Sequence, residues 1–94
     1  MNFLDLLNQV ARFAKPMHQD LTPMHSMDQP FTETEIDSLD GLMIMMYMSV
    51  IYDIPDTEES RDFVPTTPQE MLDYIEKNKQ RECESIEWAM EMIK

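Results

Sequence analysis

Apolar residues recur with helical spacing in the first part of the chain. In residues 2–14 they stand three or four positions apart, which predicts an amphipathic helix: Phe3, Leu6, Leu7, Val10, Phe13 and Ala14. Asn2 can cap the start of this helix, and the Lys15-Pro16 pair marks its end. The segment 16–36 predicts a long loop, because prolines interrupt it repeatedly. Loops of this length are typically functional or mobile.

The second predicted helix, residues 38–52, is apolar on nearly every side. Between Leu42 and Tyr52 only Ser49 is not apolar. Leu and Met favour a helix over a strand here, and Asp37 is typical of a helix N-cap. A membrane-spanning helix needs about 20 apolar residues, so this stretch is too short to span a bilayer. We therefore expect the helix either to be deeply buried or to present an apolar face to a partner.

The rest of the chain predicts an irregular segment and one long last helix. Residues 56–66 form an acidic loop in which a short third helix can form. Thr67 and Pro68 are typical of a helix start, with the threonine as the N-cap. No helix breaker follows, so we expect one continuous last helix over residues 68–93, about 40 Å long. With a single glycine and no strand–turn–strand pattern, residues 1–94 are predicted to form one all-α domain.

The charge of the chain narrows its range of functions. Nineteen acidic residues against seven basic ones give a net charge of −12. This argues against a nucleic-acid binder, which needs a cationic face, and against docking on an anionic membrane. Almost all of the charge falls on residues 31–94, so the acidic surface is expected there. The N-terminus lacks the basic and apolar regions of a signal peptide, so a cytoplasmic location is expected.

The chain offers little for metal or enzymatic chemistry. A single cysteine, Cys83, argues against an internal disulfide and a cysteine-based zinc site. His18 and His25 lie in the proline-rich loop without other ligands at metal-binding spacing, so no metal site is expected. No catalytic residue is predicted, because no nucleophile–base pair, pair of acids or phosphate-binding glycine loop can be assembled. Eleven methionines indicate a deformable interior or contact surface.

The candidate for chemistry is the run Ile36-Asp37-Ser38-Leu39-Asp40 at the start of the second helix. Taken alone, the Asp-Ser pair is most simply a helix cap. A serine in the first turn would lie where unpaired N–H groups and the helix dipole favour an anion. No His or Lys stands near it to activate its hydroxyl. Ser38 is therefore interpreted as the substrate of another enzyme rather than as a catalytic nucleophile.

Together with its surroundings, this motif resembles the acyl carrier protein family. The resemblance runs from about residue 31 to residue 78, and its pieces fall in the family's order at close to the family's spacing. Besides the motif and the apolar helix, the pieces are Phe31-Thr32-Glu33, Ile54-Pro55-Asp56, Thr66-Thr67 and Leu72-Asp73-Tyr74-Ile75. The first helix fits the family in position and amphipathic character only.

The resemblance implies a small four-helix carrier bundle, here with an extended C-terminal helix. It implies that Ser38 is the attachment point for 4′-phosphopantetheine, added by a magnesium-dependent phosphopantetheinyl transferase. The thiol of that arm would carry an acyl group as a thioester. Asp37 matches the acidic residue that helps present the serine to the transferase. The implied partners are the transferase and the acyl-transfer or acyl-activating enzymes of fatty acid or lipid metabolism.

A departure from the family pattern supports a second hypothesis. The helix after the family's serine usually displays acidic residues, whereas Gly41 to Tyr52 carries no charge. The alternative is an unmodified acidic interaction module, or a mimic, that keeps the carrier fold.

The methionines of the second helix cannot all face one core, because neighbouring helix positions diverge by about 100°. The residues concerned are Met43, Met45, Met46 and Met48. Unless the first loop or the C-terminal helix covers them, they predict a docking surface or self-association. The C-terminal extension is a second candidate for self-association.

Overall fold

All secondary structure in the described residues is helical. The computed structural model describes residues 2–14, 23–34 and 36–94. Its elements in chain order are α1 (Phe3–Ala14), a 3₁₀ turn (Phe31–Glu33), α2 (Ser38–Tyr52), α3 (Glu58–Asp62), α4 (Pro68–Asn78) and α5 (Ile86–Ile93). The all-α prediction is confirmed, and α2 begins and ends at the predicted residues.

Helix α2 lies at the centre of the hydrophobic core. Helices α1, α4 and α5 all pack against it, and α1 also contacts α4 and α5. A fully buried aliphatic or methionine side chain contributes roughly 1.5–3 kcal/mol. The fully buried side chains come from all four helices and include Leu6, Leu7, Val10, Ile44, Met48, Ile51, Met71, Ile75 and Ala89.

The described part of the proline-rich loop is anchored to two helices. The side chain of Asn8 on α1 pairs with the backbone of Met24: its Oδ1 accepts from the Met24 N–H at 2.8 Å, and its Nδ2 donates to the Met24 carbonyl at 3.2 Å. At the start of α4, the Gln69 N–H donates to the Met27 carbonyl at 2.9 Å. Residues 16–22 of the predicted loop lie outside the described residues.

The prediction of one continuous helix over residues 68–93 is wrong. Helix α4 ends at Asn78, and Lys79 has an extended backbone with φ −63° and ψ 146°. Helix α5 begins only at Ile86, after Ser85 has capped it by accepting a hydrogen bond from the Trp88 N–H. Residues 79–85 between the two helices are not helical, so the C-terminal helix is a separate element.

The turn between α4 and α5 is fastened to the end of α2. The Gln80 N–H donates to the Tyr52 carbonyl at 3.0 Å. Arg81 Nε donates to the Ile51 carbonyl at 2.9 Å, and its guanidinium also donates to the Val50 carbonyl. These bonds satisfy carbonyl groups that the last turn of a helix leaves without partners.

Burial of the apolar side of α5 explains why the chain turns. A straight continuation of α4 would carry that side into water, whereas the separate helix α5 packs on α1 and α2 and buries Ala89 completely. Ile86, Trp88 and Ile93 pack partly against the same cluster. The connecting residues 79–85 have no apolar stripe with which a helix could hold itself to the core.

No helix of the described residues combines the length and the apolar character needed to cross a membrane.

Candidate functional site

Ser38 is exposed on the first turn of α2. Asp37 is the N-cap, with an extended backbone at φ −92° and ψ −176°. Its Oδ1 accepts from the Asp40 N–H at 2.9 Å, and Asp40 Oδ2 accepts from the Asp37 N–H at 3.2 Å. This reciprocal capping box fixes the backbone on both sides of Ser38, whose own side chain remains open to solvent.

The first backbone amides of α2 bear on the chemistry available to Ser38. The Asp40 N–H is bonded to Asp37 Oδ1, and the Gly41 N–H donates to the Asp37 carbonyl at 2.9 Å. In the hydrogen bonds of the described residues, the N–H groups of Ser38 and Leu39 have no protein acceptor. They and the helix dipole favour an anion on the Ser38 oxygen, while the carboxylates of the capping box oppose it.

A groove of about 680 Å³ opens beside α2. From Ser38, successive turns of the helix bring Leu42, Met46 and Ser49 onto the same side, and all three line the groove. Ser38 therefore lies one turn before the groove on the side that leads into it. The other lining residues are Met45, Val50, Asp53, Ile54, Pro55, Asp56, Ser60, Arg61 and Arg81.

The end of the groove farthest from Ser38 is polar. Asp53 ends α2 in the left-handed conformation, with φ 54° and ψ 50°, which turns the following Ile54 back onto the core. Arg61 donates to both carboxylate oxygens of Asp56, at 2.9 and 3.3 Å. That hydrogen bonding, followed by the charge of the guanidinium, lowers the pKa of Asp56. The groove thus has an apolar middle and a distal end where acids and guanidinium groups meet.

No protein-family model, curated protein or solved structure matches the chain.

The side of α2 opposite the core carries an uncharged stripe, which we call the exposed stripe: Leu39, Met43, Met46 and Val50. Leu39 and Met46 are each 67% exposed, and Val50 is 46% exposed. Met45 and Met48 are buried instead. The prediction that the methionines of this helix face different environments is confirmed. Helix α5 covers part of α2, but the exposed stripe stays open.

The other residues considered from the sequence do not join Ser38. His25 is exposed, and His18 lies outside the described residues. Within the described ranges, no three His, Cys, Asp or Glu side chains come together as a metal site would require. Cys83 is half-buried near α5, and burial raises the pKa of its thiol.

The distal end of the groove was missed by sequence reasoning. Arg61 and Arg81 stand far from Ser38 in the chain, and no local pattern links them to it. Their hydrogen-bond partners, a carboxylate in the α2–α3 loop and two carbonyls of α2, become visible only in three dimensions.

Proposed function

We propose that this chain is an acyl carrier protein in which Ser38 carries 4′-phosphopantetheine. The observation that carries the proposal is the place of Ser38: exposed, on the first turn of α2, and on the side of the helix that leads into the groove. This placement supports the function that the sequence resemblance implies.

For this modification the chain itself needs to supply only an accessible serine oxygen and a local environment that tolerates a phosphodiester. The Ser38 hydroxyl loses its proton to a base of the transferase, and its oxygen bonds to the phosphorus of the pantetheine half of coenzyme A. The pyrophosphate bond breaks, and adenosine 3′,5′-bisphosphate leaves. Ser38 supplies an accessible oxygen, and the nearby N–H groups of Ser38 and Leu39 favour the resulting phosphodiester. The thiol at the end of the bound arm then supplies the thioester chemistry.

The groove supports a role in holding an apolar cargo. Its apolar lining includes Leu42, Met45 and Ile54. Methionine is unbranched and flexible, so a lining of this kind adapts to chains of different length. Shielding the cargo there would remove apolar surface from water.

A second candidate is an unmodified acidic interaction module that keeps the same helices. The exposed stripe of α2 favours it, because an uncharged helix face on so acidic a chain suits contact with a protein better than contact with water. The two candidates differ in whether Ser38 is modified.

Intact-mass measurement after incubation with coenzyme A, magnesium and a broad-specificity phosphopantetheinyl transferase tests the proposal. The wild-type chain should gain one phosphopantetheine arm, and Ser38→Ala should gain none. Ser26→Ala is the matched control, because Ser26 is an exposed serine elsewhere in the chain, and it should be modified like the wild type. A folded wild-type chain that gains no mass with several transferases would favour the interaction module. A gain on Ser38→Ala would place the site elsewhere.

A further inference from the structure

We propose that the groove beside α2 binds an aliphatic carboxylate, with the alkyl chain on its apolar lining and the carboxylate at Arg81 in its distal end. The chain belongs either to a free acid or to the far end of an acyl group bound through Ser38, since both present the same chemistry. The free-acid form does not depend on modification of Ser38, whereas the bound form rests on the proposed function. Arg81 lies beyond residue 78, where the family resemblance ends.

The apolar part of the groove fits an alkyl chain. Two of its lining residues, Met45 and Ile54, belong to the buried core, and Leu42, Met46 and Val50 line it as well. From Leu42 to Val50 the lining follows α2 for about 12 Å, at about 1.5 Å per residue. The volume of about 680 Å³ is ordinary for a small-ligand site. An alkyl chain of medium length therefore leaves water on binding there.

Arg81 brings a positive charge without a carboxylate partner to the distal end. Its guanidinium donates to the carbonyls of Ile51 and Val50, which are neutral. No ion pair of the described residues includes Arg81. The dipole at the end of α2 offsets only about half a charge. The Nη1 group of Arg81 donates to no acceptor in the described residues, which leaves two N–H donors for a ligand.

The other charges at the distal end cancel or are already paired. Arg61 donates to both oxygens of Asp56, so this pair adds no net charge. Asp53 is exposed and opposes an anion, and with Arg81 it brings the sum of the four charged lining residues to zero. The end of the groove is thus far less acidic than a chain of net charge −12.

Guanidinium chemistry selects a carboxylate over other chain ends. Arginine donates to carboxylates through charge-assisted hydrogen bonds, which are stronger than neutral ones. A methyl end would remove water from Arg61 and Arg81 without replacing the hydrogen bonds. An ammonium end would have to compete with Arg61 for Asp56. A ligand with one alkyl chain and one terminal carboxylate matches both parts of the groove.

Calorimetry with four small amphiphiles below their aggregation concentrations tests the proposal. Octanoate should bind best, and octanol, which has the same chain without the charge, should bind about tenfold more weakly. Hexanoate should also bind about tenfold more weakly than octanoate, because two fewer CH₂ groups leave water. The net charge of the chain alone would favour octylammonium. Octylammonium binding as tightly as octanoate, or tighter, would overturn the proposal.

Variants of single cations locate the carboxylate. Arg81→Gln should weaken octanoate binding by about tenfold or more and leave octanol binding unchanged. Since Arg81 also holds the connection after α4, Arg61→Gln is a second variant that leaves this connection intact, and it should weaken octanoate binding severalfold. Lys77→Gln removes the same charge from an exposed residue of α4 outside the groove and should have no effect. Unchanged binding by both arginine variants, or an equal loss in Lys77→Gln, would overturn the proposal.

Trp88 gives an optical readout of the same site. The guanidinium carbon of Arg81 lies 5.5 Å from the centre of the Trp88 ring, and the chain has no other tryptophan. A carboxylate on Arg81 changes the electric field at the indole, so saturating octanoate should shift its fluorescence, whereas octanol should not. Fluorescence that stays unchanged at saturation with octanoate would overturn the placement at Arg81.

Two further measurements distinguish the free acid from a bound acyl chain. Ser38→Ala should bind octanoate as the wild type does, so failure of the carrier proposal leaves this result intact. For the bound form, a phosphopantetheinyl transferase adds octanedioyl or octanoyl arms to Ser38 from their coenzyme A thioesters. The octanedioyl form should melt higher, and Arg81→Gln should remove the difference. Equal melting of the two loaded forms, together with no binding of free octanoate, would overturn the proposal.

Discussion

Asp37 caps α2 and, in the proposed carrier, would also present a negative charge to the transferase. Its carboxylate accepts the Asp40 N–H at 2.9 Å and holds the start of α2, yet the residue stays exposed beside Ser38. A cap needs an oxygen acceptor, whereas recognition by a basic enzyme surface needs a charge. Substitutions that keep one property and remove the other can separate the two roles.

Replacement of Asp37 by Asn and by Ala should therefore have different effects. Asn caps helices about as well as Asp, so Asp37→Asn should keep the free energy of unfolding almost unchanged, while Asp37→Ala should lose about 1 kcal/mol. If the transferase recognises the negative charge of Asp37, both variants should be modified more slowly than the wild type. Urea unfolding and the rate of mass gain measure the two effects. Modification of Asp37→Asn at the wild-type rate would show that the charge is not read.

Tyr52 gives the chain a pH-dependent component of stability. The side chain is buried at the end of α2, and burial, followed by the charge of nearby Cys83, raises its pKa to about 12. The folded state thus favours the protonated phenol. Because the ordinary pKa is about 10, this contribution is fully present below pH 10 and is lost as the pH rises towards 12.

The variant Tyr52→Phe should show a smaller loss of stability between pH 10 and pH 12 than the wild type. Phenylalanine has no proton to release, so that component of the alkaline unfolding disappears while the ring stays in the core. Urea unfolding at closely spaced pH values measures the difference. Equal alkaline losses in the two proteins would mean that Tyr52 does not keep its proton in the folded state.

Among the helices, the starts of α2 and α4 were predictable from the sequence, and the connection between α4 and α5 was not. Asp37 and Thr67 are the N-caps of α2 and α4, and each accepts a hydrogen bond from the N–H three residues later. Because these partners are close in sequence, the helix starts can be predicted from a short pattern. The turn after α4 is held by long-range contacts, such as the bond from Arg81 to Ile51, a partner 30 residues earlier. A short sequence pattern cannot reveal such a long-range contact. Because residues 69–94 contain no proline or glycine, the sequence predicted one continuous helix.

The features of the candidate site also divide into those that the local sequence predicts and those that it does not. The exposure of Ser38 follows from its place in the first turn of a capped helix, which the motif predicts. The groove does not follow from any short pattern, since its lining comes from α2, the next loop, α3 and Arg81. The exposed stripe was predictable in part. The uniformly apolar sequence of α2 predicts that one side of the helix lacks a partner, but it does not identify that side.

Docking of α5 through its buried side can be tested with two similar substitutions on one helix. Ala89→Glu places a carboxylate at a fully buried position, which should cost several kcal/mol or detach α5. Met92→Glu introduces the same residue where 36% of the side chain is already exposed, and it should have little effect. Thermal unfolding should show a much lower midpoint for Ala89→Glu, since 1 kcal/mol corresponds to about 4–8 °C in a domain of this size. Equal midpoints would show that α5 contributes little to the fold.

The net charge and the hydrophobic core have opposite effects on the stability of the folded chain. The net charge of −12 is spread over a body of 33 × 27 × 22 Å, so the carboxylates repel one another throughout. The helices stay together because the apolar side of α2 is covered by three neighbours. The carrier proposal uses Ser38 at the start of this helix and the groove beside it.

Added monovalent salt should therefore stabilise the chain. At 0.01 M ionic strength the Debye length is about 30 Å, so charges repel across the whole molecule, whereas at 0.15 M it is about 8 Å and only neighbours interact. Salt also weakens attractive pairs such as Lys79 with Glu76 and Glu82, at 2.8 and 2.6 Å. The carboxylates of these pairs are exposed to solvent, and surface pairs contribute only about 0–1 kcal/mol each, so relief of the repulsion should dominate.

The melting temperature should rise between 0.01 M and 0.15 M sodium chloride. The matched control replaces three exposed carboxylates on different parts of the chain, Glu33→Gln, Glu59→Gln and Glu84→Gln, which reduces the net charge from −12 to −9. This variant should melt higher at low salt and gain less from added salt, because it has less repulsion to screen. A melting temperature that falls with salt, or an equal gain in both proteins, would show that ion pairs rather than net repulsion govern the electrostatic part of its stability.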